Sequence, residues 1–362
     1  MKCMYRLVAL LALNVMAVPA AVSAPSYSVT YLGTLGGQSS TASDINDLGQ
    51  IVGYSATTSG EMHAFLYEGG SMVDLGTLGG NLSQATGINN SGQIVGFSRI
   101  DGLGTTRAFV FAGGNMAEVG TLGGTFSVAY DINDSGQIVG YSSFSDGDIQ
   151  GFLYSAGSMT ALGTLGGGDS FAYGVNGSGQ VVGAARTEEG FLRAFSYANG
   201  VMTDLGTLGG DASSGVAIND TGLIVGGAEY AAFNYYTRAF LHSGDQMVDL
   251  SPDAPWSNAA DINSAGDIVG TMARGDFSNF GYLYRNGVVY DLNELIDPSL
   301  GLVIDSATAI NSAGDIVATG CTSSGCSAVL LSAAPVPEPE AWALFAAGLG
   351  LIGCLRLRRK VA

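Results

Sequence analysis

Three features of the chain predict an all-β fold, a seven-bladed β-propeller of four-stranded repeats. An asparagine recurs as Asn46, Asn89, Asn133, Asn176, Asn219, Asn263 and Asn311, at steps of 43, 44, 43, 43, 44 and 48. Each step holds four strand-like runs of about five residues, which is the content of one propeller blade. The repeats also begin with a fourth run that lacks its first three, and the seventh unit stops after its third run. A β-solenoid would need caps rather than matching incomplete ends, so the closed ring is the reading.

The elements follow in chain order. Lys2 and Arg6 flank an apolar run from Leu7 to Val18, and Val18-Pro19-Ala20 supplies small residues for cleavage, so residues 1–20 read as an export signal. No cysteine follows that run, which argues against a lipoprotein signal. The body, residues 25–332, opens with Tyr27-Ser-Val-Thr-Tyr-Leu-Gly-Thr-Leu35. This N-terminal strand is expected to complete the last blade, closing the ring and removing its exposed edges.

Within each unit the first run ends at the recurring asparagine, as in Ala42 to Asn46. A turn such as Asn46-Asp-Leu-Gly49 tolerates the positive φ of a tight hairpin. Gln50 to Ser55 form the second run, Ala64 to Tyr67 the third, and Met72 to Leu78 the fourth. Six residues before the asparagine stands a serine in six copies (Asp305 in the seventh), and four before it alanine or glycine. Small side chains there suit an innermost strand, where blades crowd the axis. Gly36-Gly37 and Gly79-Gly80 give the crossing between blades its freedom.

Between signal and tail the chain carries seven arginines, no lysine and 29 acids, a net charge of about −22. Such a body repels nucleic acid and anionic headgroups, which excludes DNA binding as a function. Cys321 and Cys326 are its only cysteines, and in an exported chain they read as a disulfide clipping a hairpin. Closing so short a loop contributes about 2 kcal/mol in the chain-entropy model. A metal pair is disfavoured, because no histidine lies near them in sequence.

Residues 333–362 form a tripartite tail. Pro335-Val-Pro-Glu-Pro-Glu340 precedes an uncharged stretch, Ala341 to Leu355, and Arg356, Arg358, Arg359 and Lys360 close it. Fifteen helical residues rise roughly 22 Å, short of the ~30 Å hydrocarbon core, so this is a transient transmembrane helix held by a basic cytoplasmic end. The order resembles the PEP-CTERM sorting signal, with Pro337, Glu338 and Pro339 as the motif. That resemblance implies recognition by an exosortase-type transpeptidase in a Gram-negative bacterium and release to the outer membrane, surface or matrix. A plain C-terminal membrane helix is the simpler alternative.

The repeats resemble the HAF-repeat family of bacterial extracellular proteins. The triplet stands intact as His63-Ala64-Phe65 and as Arg-Ala-Phe at Arg107, Arg193 and Arg238. Leu32-Gly-Thr-Leu-Gly-Gly37 and its copies match as well, while units six and seven depart with Leu250-Ser-Pro and Leu292-Asn-Glu. The resemblance covers residues 27–331 and implies a surface or extracellular location, with no established reaction.

Chemistry is sparsely signalled, and no catalytic residue is assigned. His63 and His242 occupy different repeat positions and read as ordinary strand residues. No nucleophile elbow, HExxH helix or phosphate loop is present. The turns at Asp44, Asp131 and Asp261 share Asp-x-Asn-x-x-Gly with the start of a calcium loop. They lack the later oxygen ligands, so an asparagine-stabilised hairpin is preferred and no cofactor or metal site is assigned. Calcium is left a diffuse counter-ion of the acidic body at most.

The second-to-third connections vary in length and share one face with the blade-to-blade crossings. Tyr230, Tyr235, Tyr236 and Phe277 gather there and are the candidate ligand-binding residues, able to stack on sugar or anchor a partner. Packing against neighbouring blades is the competing reading. The function expected is a non-enzymatic binding or structural protein of the cell surface, associated with exopolysaccharide or biofilm. The alternative is a secreted polysaccharide hydrolase or lyase with a carboxylate site in the propeller mouth. Carboxylates converging in an aromatic-lined pocket would favour the latter.

Overall fold

The computed structural model describes residues 25–231, 236–323 and 325–333, and these form seven four-stranded antiparallel sheets. Blade 1 comprises Gly36–Ile45, Ile51–Thr57, Met62–Glu68 and Ser71–Asp74, ordered from the axis outward. Blades 2 to 6 repeat that order. In blade 7, Val303–Ile310, Ile316–Thr322 and Gly325–Ala333 are joined on the outside by Tyr27–Tyr31. Tyr27 to Tyr31 pair with Ala333 to Val329, so the two ends of the body close the ring. The segments read from the sequence as export signal and C-terminal tail with its helix, residues 1–20 and 333–362, fall outside the described residues, apart from Ala333.

Every innermost strand carries a β-bulge three residues before its asparagine, where Ala42 pairs with Gly53 but Asp44 with Val52. The bulge drives a carbonyl toward the second strand. A Cβ on Gly53 would lie 2.0 Å from the Thr41 oxygen, which is why six of the seven blades have glycine at this place in the strand. The crossing glycines do more than bend. Gly36 sits at φ 99°, and a Cβ on Gly37 would stand 2.5 Å from that of Ala56.

The recurring serine is a clip as well as a small residue. Ser83 Oγ accepts from Ala64 N–H at 2.8 Å and donates to the Gly76 carbonyl, joining blade 2 to blade 1. Ser40, Ser127, Ser170, Ser213 and Ser257 receive the same N–H donation from the preceding blade. The fourth strand is shorter than the sequence suggests. It ends at Asp74, whose carboxylate accepts from Gly76 N–H, so Leu75 to Leu78 belong to the crossing.

The core is seven small clusters, each shared between adjacent blades. One joins Val52 and Ala64 of blade 1 to Ile94 and Phe109 of blade 2; another carries blade 7 across the chain ends to Leu32, Ala42 and Phe65. Between blades 6 and 7 two 3₁₀ turns, Leu292–Glu294 and Pro298–Leu300, replace the glycine crossing and account for the 48-residue step. Leu295 and Ile296 pack there against Tyr27, whose N–H donates to the Leu295 carbonyl at 2.9 Å.

Phe65, Phe109, Phe152, Phe195 and Phe240 fill one equivalent fully buried site, and blade 6 has Tyr282 instead. Its hydroxyl finds no hydrogen-bond partner among the described residues. An unsatisfied buried hydroxyl costs about 1–3 kcal/mol, so Tyr282→Phe is expected to stabilise the protein by about 1 kcal/mol or more. Calorimetry should register a rise of a few degrees in Tm; an unchanged or lower Tm would mean the hydroxyl is satisfied.

Candidate functional site

The seven asparagines form a closed ring around the axis. Each amide Nδ2 donates to the backbone carbonyl of the next asparagine, from Asn46 onto Asn89 round to Asn311 onto Asn46, at 2.9–3.3 Å. Each Oδ1 accepts from its own hairpin, as Asn46 does from Leu48 and Gln50 N–H. The asparagine therefore works through its side chain, and it is Gly49, at φ 75°, that takes the left-handed turn position.

At the bulge two successive residues of the inner strands line an axial cavity of about 380 Å³. Asp44, Asp131 and Asp261 bring three carboxylates to it, and Tyr130 and Tyr173 bring two phenols. Each carboxylate bridges two blades. Asp44 accepts from Ile45 N–H at 2.7 Å and from Ile88 N–H of blade 2 at 2.8 Å. Asp131 does the same with Ile132 and Val175, and Asp261 with Ile262 and Ile310. Burial, then the charges of Asp261 and Asp131, push the Asp44 carboxyl up to about 8. Burial also raises Asp131, and lifts Asp261 to about 6. Tyr173 is pushed up to about 12, by burial first and Tyr141 second, so its phenol is neutral at physiological pH.

The candidate residues of the variable face are separated by the structure. Tyr230 lies half-buried under Arg238, whose guanidinium carbon sits 3.8 Å from the ring centroid. Tyr236 and Phe277 are 51% and 58% exposed, and their rings approach to 6.3 Å across blades 5 and 6. Phe277 adopts φ 64°, a conformation that costs a non-glycine residue energy and is concentrated at functional positions. Tyr235 lies outside the described residues. Cys321 and Cys326 face each other across the last hairpin as a disulfide, with Cα atoms 4.0 Å apart.

The histidines take separate roles in blades 1 and 5. His63 Nδ1 contacts Asp74 at 2.8 Å, and its counterparts Arg107 and Arg238 pair with Glu118 and Asp249, again eleven residues on. In blade 3 the pair is Gln150 and Ala161, so base and acid disappear together. In blades 1, 2 and 5 the first residue of the triplet is thus a cross-strand partner for an acid. His242 is buried, and desolvation lowers its pKa. Among the described residues no three His, Cys, Asp or Glu side chains are placed to hold a metal ion.

Residues 335–360 match the PEP-CTERM protein-sorting motif, so the sorting residues Pro337 to Pro339 and the basic tail lie inside the matched span. The motif is a sorting signal processed by exosortase-type machinery and implies export via the Gram-negative cell envelope. No curated protein matches the chain. Solved propellers resemble it in fold alone. The propeller domain of the Trilobed protease from Pyrococcus furiosus has TM-score 0.53 and 9% identity, covering 83% of this chain and 99% of its own. YCF48 bound to D1 peptide has TM-score 0.51 and 10% identity, covering 88% and 98%. A puromycin-hydrolyzing peptidase of Mycobacterium tuberculosis has TM-score 0.50 and 12% identity, covering 82% of this chain and 53% of that one. The Pyrococcus domain is described as an open velcro; here Tyr27–Tyr31 closes the last blade.

The five half-buried rings Phe126, Tyr130, Tyr141, Phe171 and Tyr173 escaped the sequence reading. A signal was available. Three residues before the asparagine the other blades have Ser43, Thr86, Val216, Ala260 and Thr308, against Tyr130 and Tyr173 in blades 3 and 4.

Proposed function

We propose that this exported propeller is a non-catalytic binding protein of the cell surface or extracellular matrix, whose variable face holds exopolysaccharide. The observation that carries the reading is the Tyr236–Phe277 pair, two exposed rings presented by the long connections of adjacent blades. Exposed aromatic faces suit the C–H faces of sugar rings, and a body of about −22 stays soluble beside neutral polymer. The PEP-CTERM match and the resemblance of the repeats to the HAF-repeat family support the same location. A second reading, a secreted polysaccharide hydrolase or lyase, is favoured by the meeting of three carboxylates with Tyr130 and Tyr173. Against it, both oxygens of each carboxylate already accept a backbone N–H.

A glycan array probed with the purified full-length chain, with and without calcium, tests the proposal. Tyr236→Ala and Phe277→Ala are each expected to weaken binding about tenfold, with no new reducing ends or unsaturated sugars formed. A folded protein that binds no glycan would remove the reading, and turnover abolished by Asp131→Asn would replace it with the enzyme.

A further inference from the structure

The five rings at blades 3 and 4 form a connected path. Phe126 lies 5.7 Å from Tyr141, which lies 5.7 Å from Tyr130 and 5.0 Å from Phe171. Tyr173 stands 5.1 Å from Tyr130 and 6.4 Å from Phe171. The outer end opens into a second cavity, about 530 Å³, where Phe126 and Phe144 meet Asp146 between the crossing into blade 3 and its second-to-third connection. The inner end, Tyr130 and Tyr173, faces the axial cavity.

None of the five rings belongs to a core cluster, and all are half-buried. Nor does the repeat supply the three inner-strand rings: in place of Phe171 the other blades carry Thr41, Gln84, Val128, Ser214, Asn258 and Ser306, whereas Tyr141 has aromatic counterparts in Tyr54 and Phe97 and Phe126 has one in Trp256. The repeat's own packing therefore does not call for Tyr130, Phe171 and Tyr173. A propeller needs these positions only to be small enough for the axis, and two adjacent blades have instead built an aromatic wall.

We propose that this wall is a binding track for a single oligosaccharide chain, which runs from the blade 3 groove and inserts its end into the axial cavity. The inference rests on the polysaccharide-binding reading and moves the principal site from the loop tips to the axis. A sugar chain offers what the track requires, alternating C–H faces for the rings and hydroxyls for polar walls. Each ring-to-ring step is close to the length of one pyranose unit. At the inner end the chain meets the neutral phenols of Tyr130 and Tyr173 and the oxygens of Asp44, Asp131 and Asp261. Each of those oxygens accepts one backbone N–H and keeps a second lone pair for a sugar hydroxyl. The other blades line the cavity with the hydroxyls of Ser43, Thr86, Ser214 and Thr308 and with small aliphatic side chains, so Tyr130 and Tyr173 are its aromatic side, which fixes how the chain lies.

The test is titration of the full-length chain with cellohexaose, the chitosan hexamer and an oligogalacturonate hexamer. Tyr130→Leu/Tyr173→Leu is expected to raise Kd at least tenfold for the hexasaccharide that binds, more than Tyr236→Ala/Phe277→Ala does. Should the double leucine variant fail to fold, hydroxyl-radical footprinting of the unmodified chain replaces it, with Tyr130 and Tyr173 protected on saturation. Binding that survives the channel variant but is lost in the face variant, or footprints confined to Tyr236 and Phe277, would overturn the track and leave the binding function standing. A folded protein that takes none of the three hexasaccharides would overturn both.

Discussion

Deletion of residues 25–33, with residues 1–24 retained, is expected to lower Tm by on the order of 15 °C and to do so for the whole ring. The segment removes the outer strand of blade 7, with its five-residue pairing to Val329–Ala333, and two anchors, Tyr27 and Leu32, at 5% and 4% exposure. Burying a large apolar side chain is worth about 1.5–3 kcal/mol, so the two anchors and Val29 together contribute several kcal/mol. That is a large share of the ~5–15 kcal/mol by which folded domains are stable. The damage also spreads. Leu32 packs with Phe65 of blade 1 as well as Ala328 of blade 7, and Leu32 N–H donates to the Ala328 carbonyl. At a few degrees of Tm per kcal/mol in a chain of this size, the predicted shift follows. Calorimetry should show one transition moved down; an unchanged main transition with only a small early one would mean that blade 7 frays alone and the closing strand does not support the ring.

The fold was legible because the repeat states one solution seven times. Asn46 and its copies gave the period, and the incomplete ends at Tyr27 and Ala328 to Leu331 gave the closure. What the sequence hides is contact across a blade boundary. Ser83 reads only as a small residue until Ala64 N–H and the Gly76 carbonyl are seen on either side of it. The same holds for Asp44, whose second acceptor bond goes to Ile88, 44 residues away. Its Asp-x-Asn spacing resembles a calcium loop for a local reason, while its carboxylate is held by Ile45 beside it and Ile88 in the next blade. The aromatic path was missed because its members come from different strands of two blades, and only Tyr130 and Tyr173 share a repeat position. Tyr236 and Phe277 stand out as candidates in the sequence because the loops that carry them differ in length between repeats, whereas Tyr130 and Tyr173 sit inside well-formed strands and differ only in residue type.

Stability is expected to fall as pH rises from about 4 to about 8, with the steepest loss below about pH 6, where Asp44 and Asp261 both hold protons that the unfolded chain has released. Asp44, Asp131 and Asp261 have folded pKa values above the ordinary carboxylate range because the cavity walls desolvate them. A carboxyl with a raised folded pKa binds protons in the fold that the unfolded chain has already released. Its stabilisation is complete below the unfolded pKa near 4 and is lost as pH climbs through about 6 for Asp261 and about 8 for Asp44. The opposite limb belongs to Asp101, Asp276 and Asp297, which are held low chiefly by bonds from Thr105, Ser278 and Ser299 and lose that support in acid. A stability maximum near pH 4–5 results, below the range usual for globular proteins. Repulsion within the acidic surface gives a slope of the same sign, so the slope alone does not identify the channel. Asp44→Asn separates the two. It leaves one of the Ile45 and Ile88 N–H groups without an acceptor, so Tm drops at pH 5, yet it removes the titrating group nearest neutrality. The difference in Tm between pH 5 and pH 9 should therefore shrink in the variant by several degrees, while an Asp146→Asn control on the exposed face keeps the full slope. Equal slopes in all three proteins would assign the pH dependence to the surface and remove the channel carboxyls from it.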